Sequence, residues 1–394
     1  NAFNEKEAFS RDIRDLSTGI VWYRKKLTLP PRQHGKVFLE FEGVRQAAEV
    51  WVNGKSVILS ENGVMAFGAD VTSHLKPGTN VIAVRIDNDW RYKERATNSG
   101  FQWNDRNFNV NYGGITKNVR LHLTPEIYQT LPLYSGLGTT GQYVWADSFD
   151  LPGRAATVHA ETQVRNDSKQ ARKIGYRVEV RDRDGKVVAR FDGPTATIKP
   201  GETTLLKADQ RLSDLHFWSW GYGYLYTVTT SLIENGAALD SVDTVTGFRQ
   251  TKFANGMVEL NGRVIQIHGY AQRTSNEWPA VGVSIPPWIS DFSNALMVES
   301  GGNLVRWMHI TPSKQDVESA DRVGLMQAMP AGDSERDAKG RWWSQRTELM
   351  RDAIIYNRNS PSIIFFESGN KGVSEEHMAE MKAIRDRYDP HGGR

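Results

Sequence analysis

The 394-residue chain contains no cysteine. That absence excludes disulfides, thiolate catalysis and Cys-ligated zinc together. It leaves the compartment open, with the periplasm or the cell exterior as first choice. Long apolar runs are missing too: no stretch approaches the ~20 residues of a membrane-crossing helix, so no span is expected. Charge of one sign is also lacking. Lys plus Arg number 49 against 46 for Asp plus Glu, a formal net charge of +3 that is too small to mark a nucleic-acid partner. Neither a Gly-x-Ser-x-Gly elbow nor a His-Glu-x-x-His helix occurs, which disfavours an α/β serine hydrolase and a zinc protease. No residue pattern calls for a cofactor or a metal ion.

What is present is aromatic: 12 Trp, 13 Tyr and 15 Phe, in a chain that is 39% hydrophobic and 24% charged. This suits two or three globular domains with sizeable cores, and aromatic platforms in a cleft. The chain starts at Asn1 and stops at Arg394, just after a helix-like segment. The expectation drawn from these ends is a piece of a longer protein.

Before residue 250, short β-branched and aromatic runs alternate with turn signals. Val50-Trp51-Val52 runs into Asn53-Gly54, and Leu75-Lys76-Pro77-Gly78 into Val81 to Val84. Tyr176 to Val180 precedes Asp184-Gly185. Asn-Gly and Asp-Gly supply the positive φ of tight hairpins. Such spacing over about 250 residues overfills one sandwich of about 100 residues. Two sandwiches are therefore expected, at 1–124 and 125–250, joined by a flexible connection around Gly136 to Gly141. That segment formally matches a dinucleotide fingerprint, but it neither follows a buried strand nor opens a helix, as nucleotide binding requires.

After residue 250 the pattern becomes strand, helix, strand, helix. Val264 to His268, Asn303 to His309, Leu325 to Met329 and Ser362 to Glu367 read as strands. The helix signals are Ser290 or Asp291 as a cap, Ser313 with Asp316 as a capping box, an amphipathic stretch at 343–357, and Ser374 ahead of Glu375 to Arg387. Four such units predict a parallel sheet, and a (β/α)8 barrel is its natural completion. A whole barrel takes roughly 250 residues, whereas 251–394 spans 144. The expected fold is thus two β-sandwiches followed by the first half of a TIM barrel.

Barrel chemistry sits at the C-terminal strand ends. The candidates there are His268, Tyr270 and Arg273; Arg306, Trp307 and His309; Asp333; and Glu367, Asn370 and Lys371. Carboxylate, cation, amide and aromatic groups on one rim suit a polyhydroxylated substrate: carboxylates act at the anomeric centre, Asn, Arg and His bind hydroxyls, and Trp stacks on a sugar face. A structural role for each buried His or Arg is the alternative.

Gly19-Ile20-Val21-Trp22-Tyr23-Arg24-Lys25, Glu49-Val50-Trp51-Val52-Asn53-Gly54-Lys55 and Gly113-Gly114-Ile115 are similar to the jelly-roll-like sugar-binding domain of glycoside hydrolase family 2. Phe217-Trp218, Tyr224-Leu225-Tyr226 and Gly247-Phe248-Arg249 are similar to the end of its immunoglobulin-like domain. Leu260-Asn261-Gly262 through Gly269, and Asn303-Leu304-Val305-Arg306 with His309, resemble its barrel entry and second strand. The resemblance runs from about residue 17 to 390. It implies exo-acting, retaining hydrolysis of terminal β-linked sugars, with a β-galactosidase the first expectation and a β-glucuronidase, a β-mannosidase or a non-catalytic carbohydrate-binding homologue the alternatives. The implied partner is an oligosaccharide or β-glycoside, and self-association into a homo-oligomer is compatible with it.

Two departures from the family matter. Its fourth strand ends in Gly-Asn-Glu, the Glu being the general acid/base, whereas here Lys371 follows Gly369-Asn370. A lysine ammonium is a poor substitute for a carboxylic acid tuned near working pH. The nearest carboxylate is Glu367, brought closer if a bulge forms at Gly369; Glu375, Glu376, or no acid/base in this chain, are the other readings. The family's nucleophile belongs to a seventh strand, to which nothing here can be matched, so residues 1–394 are expected to be inactive alone. Family members also reach substrate from the first sandwich, where Trp103 and Asp105 in the loop Phe101 to Asn107 are the candidates, against a plain surface loop.

Overall fold

The computed structural model describes residues 19–29, 35–89, 92, 113–273, 284–330 and 337–394. The first sandwich is built from β1 (Ile20–Leu29), β2 (Lys36–Phe41), β3 (Val44–Arg45), β4 (Ala47–Val52), β5 (Lys55–Ser60), β6 (Phe67–Asp70), β7 (Gly78–Asp87), β8 (Gly114–Ile115) and β9 (Val119–Thr124). A β1-β7-β4-β5 sheet and a β6-β2-β9 sheet form its layers, with a short β3-β8 pair beside them. In β4 every second residue points inward: Ala48, Val50 and Val52 are buried, meeting Val37, Leu39 and Phe41 of β2. Asn53 and Gly54 both take positive φ, as the two-residue hairpin joining β4 to β5 requires.

The second sandwich comprises β10 (Ile127–Gln129), β11 (Gln142–Asp150), β12 (Ala155–Asn166), β13 (Arg172–Arg181), β14 (Val187–Ile198), β15 (Thr203–Leu212), β16 (Tyr226–Glu234) and β17 (Ala237–Thr246). β12 pairs with β10, β11 and β15, facing a β14-β13-β16-β17 sheet. Strict alternation along β12 sends Ala156, Val158, Ala160 and Val164 into a core shared with Ile174, Tyr176, Val178 and Val228. The glycine-rich segment between β10 and β11 is packed. It opens with a single helical turn, α1 (Tyr134–Leu137), and a Cβ added at Gly136 would lie 2.0 Å from the Gly68 carbonyl oxygen, so the expected flexible tether is a close-fitting joint.

An antiparallel meander, β18 (Thr251–Ala254), β19 (Met257–Leu260) and β20 (Arg263–Ile265), leads into four parallel strands in sequential order. These are β21 (Gly269–Arg273), β22 (Leu304–Met308), β23 (Met326–Pro330) and β24 (Ile363–Glu367). Helices α2 (Pro287–Glu299), α3 (Lys314–Val323) and α4 (Gly340–Asn357) connect them, and α5 (Glu375–Tyr388) follows β24. Two expectations shift here. Of the run Val264 to His268, Val264 and Ile265 lie in the last strand of the meander, and the first parallel strand starts at Gly269, five residues later than expected. α2 opens at Pro287 instead of Ser290 or Asp291, because proline's fixed φ and missing N–H suit the first helical position. Ser313 caps α3 by accepting from the Asp316 N–H, and Gly324, at φ 75°, ends it.

The seam between the second sandwich and the parallel sheet is polar and buried. The Trp218 indole donates to the Asp321 carbonyl at 2.8 Å. Arg249 donates to the carbonyls of Pro361 (2.5 Å) and Ile363 (2.7 Å), tying the start of β24 to the sandwich. Burial, then the neighbouring Arg394, pushes the Arg249 guanidinium down to about 9. On the other side, Tyr356 of α4 donates to Glu40 of β2 at 2.7 Å.

Candidate active site

Along β22 the side chains alternate between two environments. Leu304 packs with Trp218, Leu260, Met326 and Ile364 on one face of the sheet, whereas Val305 and Trp307 pack with Ala320 and Leu325 on the helix-covered face. Arg306 therefore shares the Leu304 face. β24 reaches the same face through a register shift: Gln327 pairs with Ile363 but Ala328 with Phe365, so Ile364 is an inserted residue. The expected bulge at Gly369 is thus found deeper in the strand, at Ile364, and it sets which side Glu367 faces.

The result is a compact cluster at the strand ends. Arg306 Nε donates to Glu367 Oε2 at 2.8 Å, and an Arg306 terminal nitrogen donates to Glu367 Oε1 and, at 2.8 Å, to Asn370 Oδ1. This is the two-pronged guanidinium–carboxylate fork, which fixes orientation as well as charge. The Glu367 side chain is 15% exposed and that of Arg306 34%, so the fork is sheltered yet reachable. Behind it, the fully buried Arg346 of α4 donates to the Ser368 carbonyl at 2.5 Å, holding the backbone just past Glu367.

Lys371 is exposed and follows Asn370. His309 is buried directly after β22, and the Met308–His309 peptide is cis. Arg273 closes β21 opposite Met308 in the register, and its side chain lies outside the described residues. Tyr270 lies within β21, its ring against the helix-side core, where burial pushes its hydroxyl up to about 12.

Trp307 corrects its expectation as a sugar platform. It is fully buried on the helix side and donates its indole N–H to Gln327 Oε1 at 2.8 Å. Strand alternation is the reason: one residue after Arg306, it points to the opposite face. Trp103, Asp105 and Asp333 lie outside the described residues. Glu375 and Glu376 occupy the exposed first turn of α5, the place a helix dipole favours for them.

Arg346 escaped the sequence reading. Its signal was present: an arginine three residues after Trp343 and four before Met350, on the stripe of α4 that turns inward. A second overlooked group is Asp337, which meets His377 at 2.5 Å and accepts from the Ser374 N–H at 3.2 Å. Burial alone would raise its carboxyl, but His377 and the N–H groups of Ser374 and Ala338 outweigh it and hold it below the ordinary value. His377 stacks on Trp343 with ring centroids 3.6 Å apart. Among the described residues no three His, Asp or Glu side chains are grouped to hold a metal ion, and no helix is long and apolar enough to cross a membrane.

Two β-sandwiches thus precede parallel βα units that carry a forked carboxylate at their strand ends. Residues 6–122 match the model of the glycosyl hydrolase 2 galactose-binding domain-like family, and residues 144–249 match that of glycosyl hydrolases family 2. The chain belongs to glycoside hydrolase family 2. It is 35% identical to a β-glucuronidase of Formosa agariphila over 95% of this chain and 38% of that protein. It is 27% identical to a β-galactosidase of Bacteroides ovatus over 93% of this chain and 41% of that protein. A solved β-glucuronidase of glycoside hydrolase family 2 superposes with a TM-score of 0.89 at 34% identity, covering 96% of this chain and 40% of that one. The chain thus spans about two fifths of the length of these relatives.

Proposed function

We propose that this chain is the front part of a retaining, exo-acting glycosidase for terminal β-linked sugars, with Glu367 as its acid/base and a β-glucuronide as its first substrate class. The observation that carries the reading is the Arg306–Glu367–Asn370 cluster at the ends of β22 and β24. In this reading 1–124 is the sugar-binding sandwich, 125–250 the immunoglobulin-like sandwich, and 251–394 the first half of a (β/α)8 barrel. The remaining strands and the nucleophile correspond to the length of the relatives that this chain does not span.

In the first step Glu367 gives a proton to the leaving oxygen while the second carboxylate, about 5–5.5 Å away, attacks the anomeric carbon. In the second step Glu367, now ionised, takes a proton from water as the glycosyl-enzyme bond breaks. Arg306 steadies the ionised form through its fork, and Asn370 hydrogen-bonds a sugar hydroxyl. Exchange of the Arg306 fork for substrate contacts frees Glu367 to carry the proton into the first step.

The preference for glucuronate rests on the 35% identical β-glucuronidase and on the cationic character that Arg306 and Lys371 give this rim. The relatives do not favour the galactoside expected from sequence over the glucuronide. A galactoside is the second reading, supported by the 27% identical β-galactosidase. Turnover of aryl β-glucuronides and aryl β-galactosides by the intact gene product separates them. Specificity constants higher for the glucuronide support the first reading and the reverse order supports the second, while hydrolysis of neither, with sugar binding retained, points to the non-catalytic homologue.

A further inference from the structure

The polar seam between the second sandwich and the parallel sheet encloses a cavity of about 40 Å³, lined among others by Trp145, Arg249, Arg358, His391 and Arg394. That is room for about one to three water-sized bodies, far below the ~300–1,000 Å³ of pockets for organic ligands. Three guanidinium groups meet there. Arg249 and Arg394 share the Ile363 carbonyl as acceptor, at 2.7 and 3.1 Å, and Arg394 also donates to the Arg358 carbonyl at 2.5 Å. Arg358 is 7% exposed and the Arg394 side chain 2%. Two carboxylates act on these cations: Asp389, which accepts from Arg394 Nε at 2.5 Å, and Asp321. Glu161, also near Arg358, is taken by Lys207 at 2.5 Å. Three positive charges against two negative leave one uncovered, and a buried charge without a partner is costly. The surrounding carbonyls orient the arginines but do not cancel that charge. Hydrogen-bonding capacity is left over in the same place. A guanidinium has five N–H groups, and Arg249, Arg358 and Arg394 each make four hydrogen bonds to protein oxygens among the described residues. The Trp145 indole stacks on both His159 and His391, and its buried N–H has no partner among the described residues.

We propose that this cavity holds a small monovalent anion, chloride in ordinary solution, which accepts hydrogen bonds from the remaining guanidinium N–H groups and from Trp145 Nε1. The ion brings the buried charge of the seam to zero and supplies the acceptor that these donors lack. A metal cation is repelled by the three arginines, and a sugar exceeds the volume. The ion also has a structural consequence. It bridges Trp145 and Arg249 of the second sandwich to Arg358, which precedes β24, and to Arg394, which follows α5. Its binding therefore fastens the sandwich to the strand that ends at Glu367. This site stands apart from the sugar chemistry proposed above and does not depend on it.

Two measurements on the full chain test it. In crystals grown without halide and soaked in sodium bromide, anomalous diffraction should place a bromide among Arg249, Arg358, Arg394 and Trp145. In solution, calorimetric titration with sodium chloride, against a sodium methanesulfonate background whose anion is too large for the cavity, should show saturable binding of one equivalent. Trp145→Phe keeps the aromatic stack and removes one donor, and should weaken binding about tenfold. Arg358→Gln removes the uncovered charge and should abolish binding. Arg177→Gln, which removes an exposed cation of the same sandwich paired with Asp192 at 2.9 Å, should leave it unchanged. Circular dichroism checks that each variant is folded, and if Arg358→Gln is not, Trp145→Phe decides. The proposal is overturned if the seam shows water and no bromide, if bromide is seen in the crystal but chloride does not bind saturably in solution, if Trp145→Phe binds chloride as tightly as wild type, or if Arg177→Gln abolishes binding.

Discussion

Arg306 holds Glu367 in a two-pronged fork across the strand ends, and the same guanidinium reaches Asn370 at 2.8 Å. The pair joins residues 61 positions apart in sequence. It couples the position of the proposed acid/base to a cation on the next strand but one, and its consequences can be measured.

Arg306→Ala should disturb both chemistry and stability. Glu367 then loses its orienting partner, and a misplacement of about 1 Å can cost about 10²-fold in rate. The expected loss is in kcat, with a smaller change in KM, for aryl glycosides and the intact gene product. Leaving a sheltered carboxylate without its fork should also cost about 1–3 kcal/mol in urea unfolding. Arg306→Lys should restore charge but not the planar fork, and so recover only part of either quantity. An unchanged kcat in Arg306→Ala contradicts the assignment.

Trp307→Phe should behave as a core substitution. It removes the donor to Gln327 Oε1, whose own amide donates to Ser362 Oγ at 2.6 Å, and that network then carries an unmet buried acceptor. A stability loss of about 1–3 kcal/mol is expected, with KM unchanged. A large rise in KM without loss of stability would return Trp307 to the sugar platform that its sequence position suggested.

Asp321 should impose a pH dependence on folding. It accepts from Ser360 Oγ and Ser362 Oγ, both at 2.5 Å, yet burial outweighs these bonds and pushes its carboxyl up to about 6 from an ordinary 3.8. A raised folded-state value means the native protein holds this proton over a range where the unfolded chain has released it. The stability Asp321 contributes is full below about 3.8, falls as pH rises through about 6, and is flat above. Asp321→Asn removes this titration. Urea titrations at several pH values should therefore show wild type losing ground to Asp321→Asn between pH 4 and 6, and no further above. A difference that does not vary with pH contradicts the burial argument.

Much of the fold was legible because its signals are local. Asn53-Gly54 with alternating Ala48, Val50 and Val52, or Ser313 three residues before Asp316, each needs only its own neighbourhood to be read. The site was less legible because strand faces depend on register. An apolar, aromatic run such as Leu304 to Met308 carries no polar alternation to say that Arg306 and Trp307 face opposite ways. The inserted Ile364, which turns Glu367 toward Arg306, has no glycine or polar residue to announce it, whereas Gly369 offers the glycine at which a bulge is expected. The role of Arg346 depends on a contact 22 residues away, and only its oddity on an apolar helix face was visible in advance.

The identity of the acid/base is tested most directly by Glu367→Ala in the intact gene product, assayed on a dinitrophenyl β-glycoside with and without sodium azide. With an activated leaving group the first step needs little proton donation, and the glycosyl-enzyme should accumulate because no base activates water. Azide needs no base; it should restore turnover and yield the β-glycosyl azide with retained configuration. Full activity of Glu367→Ala without azide, or an α-glycosyl azide as product, would contradict the role assigned to Glu367.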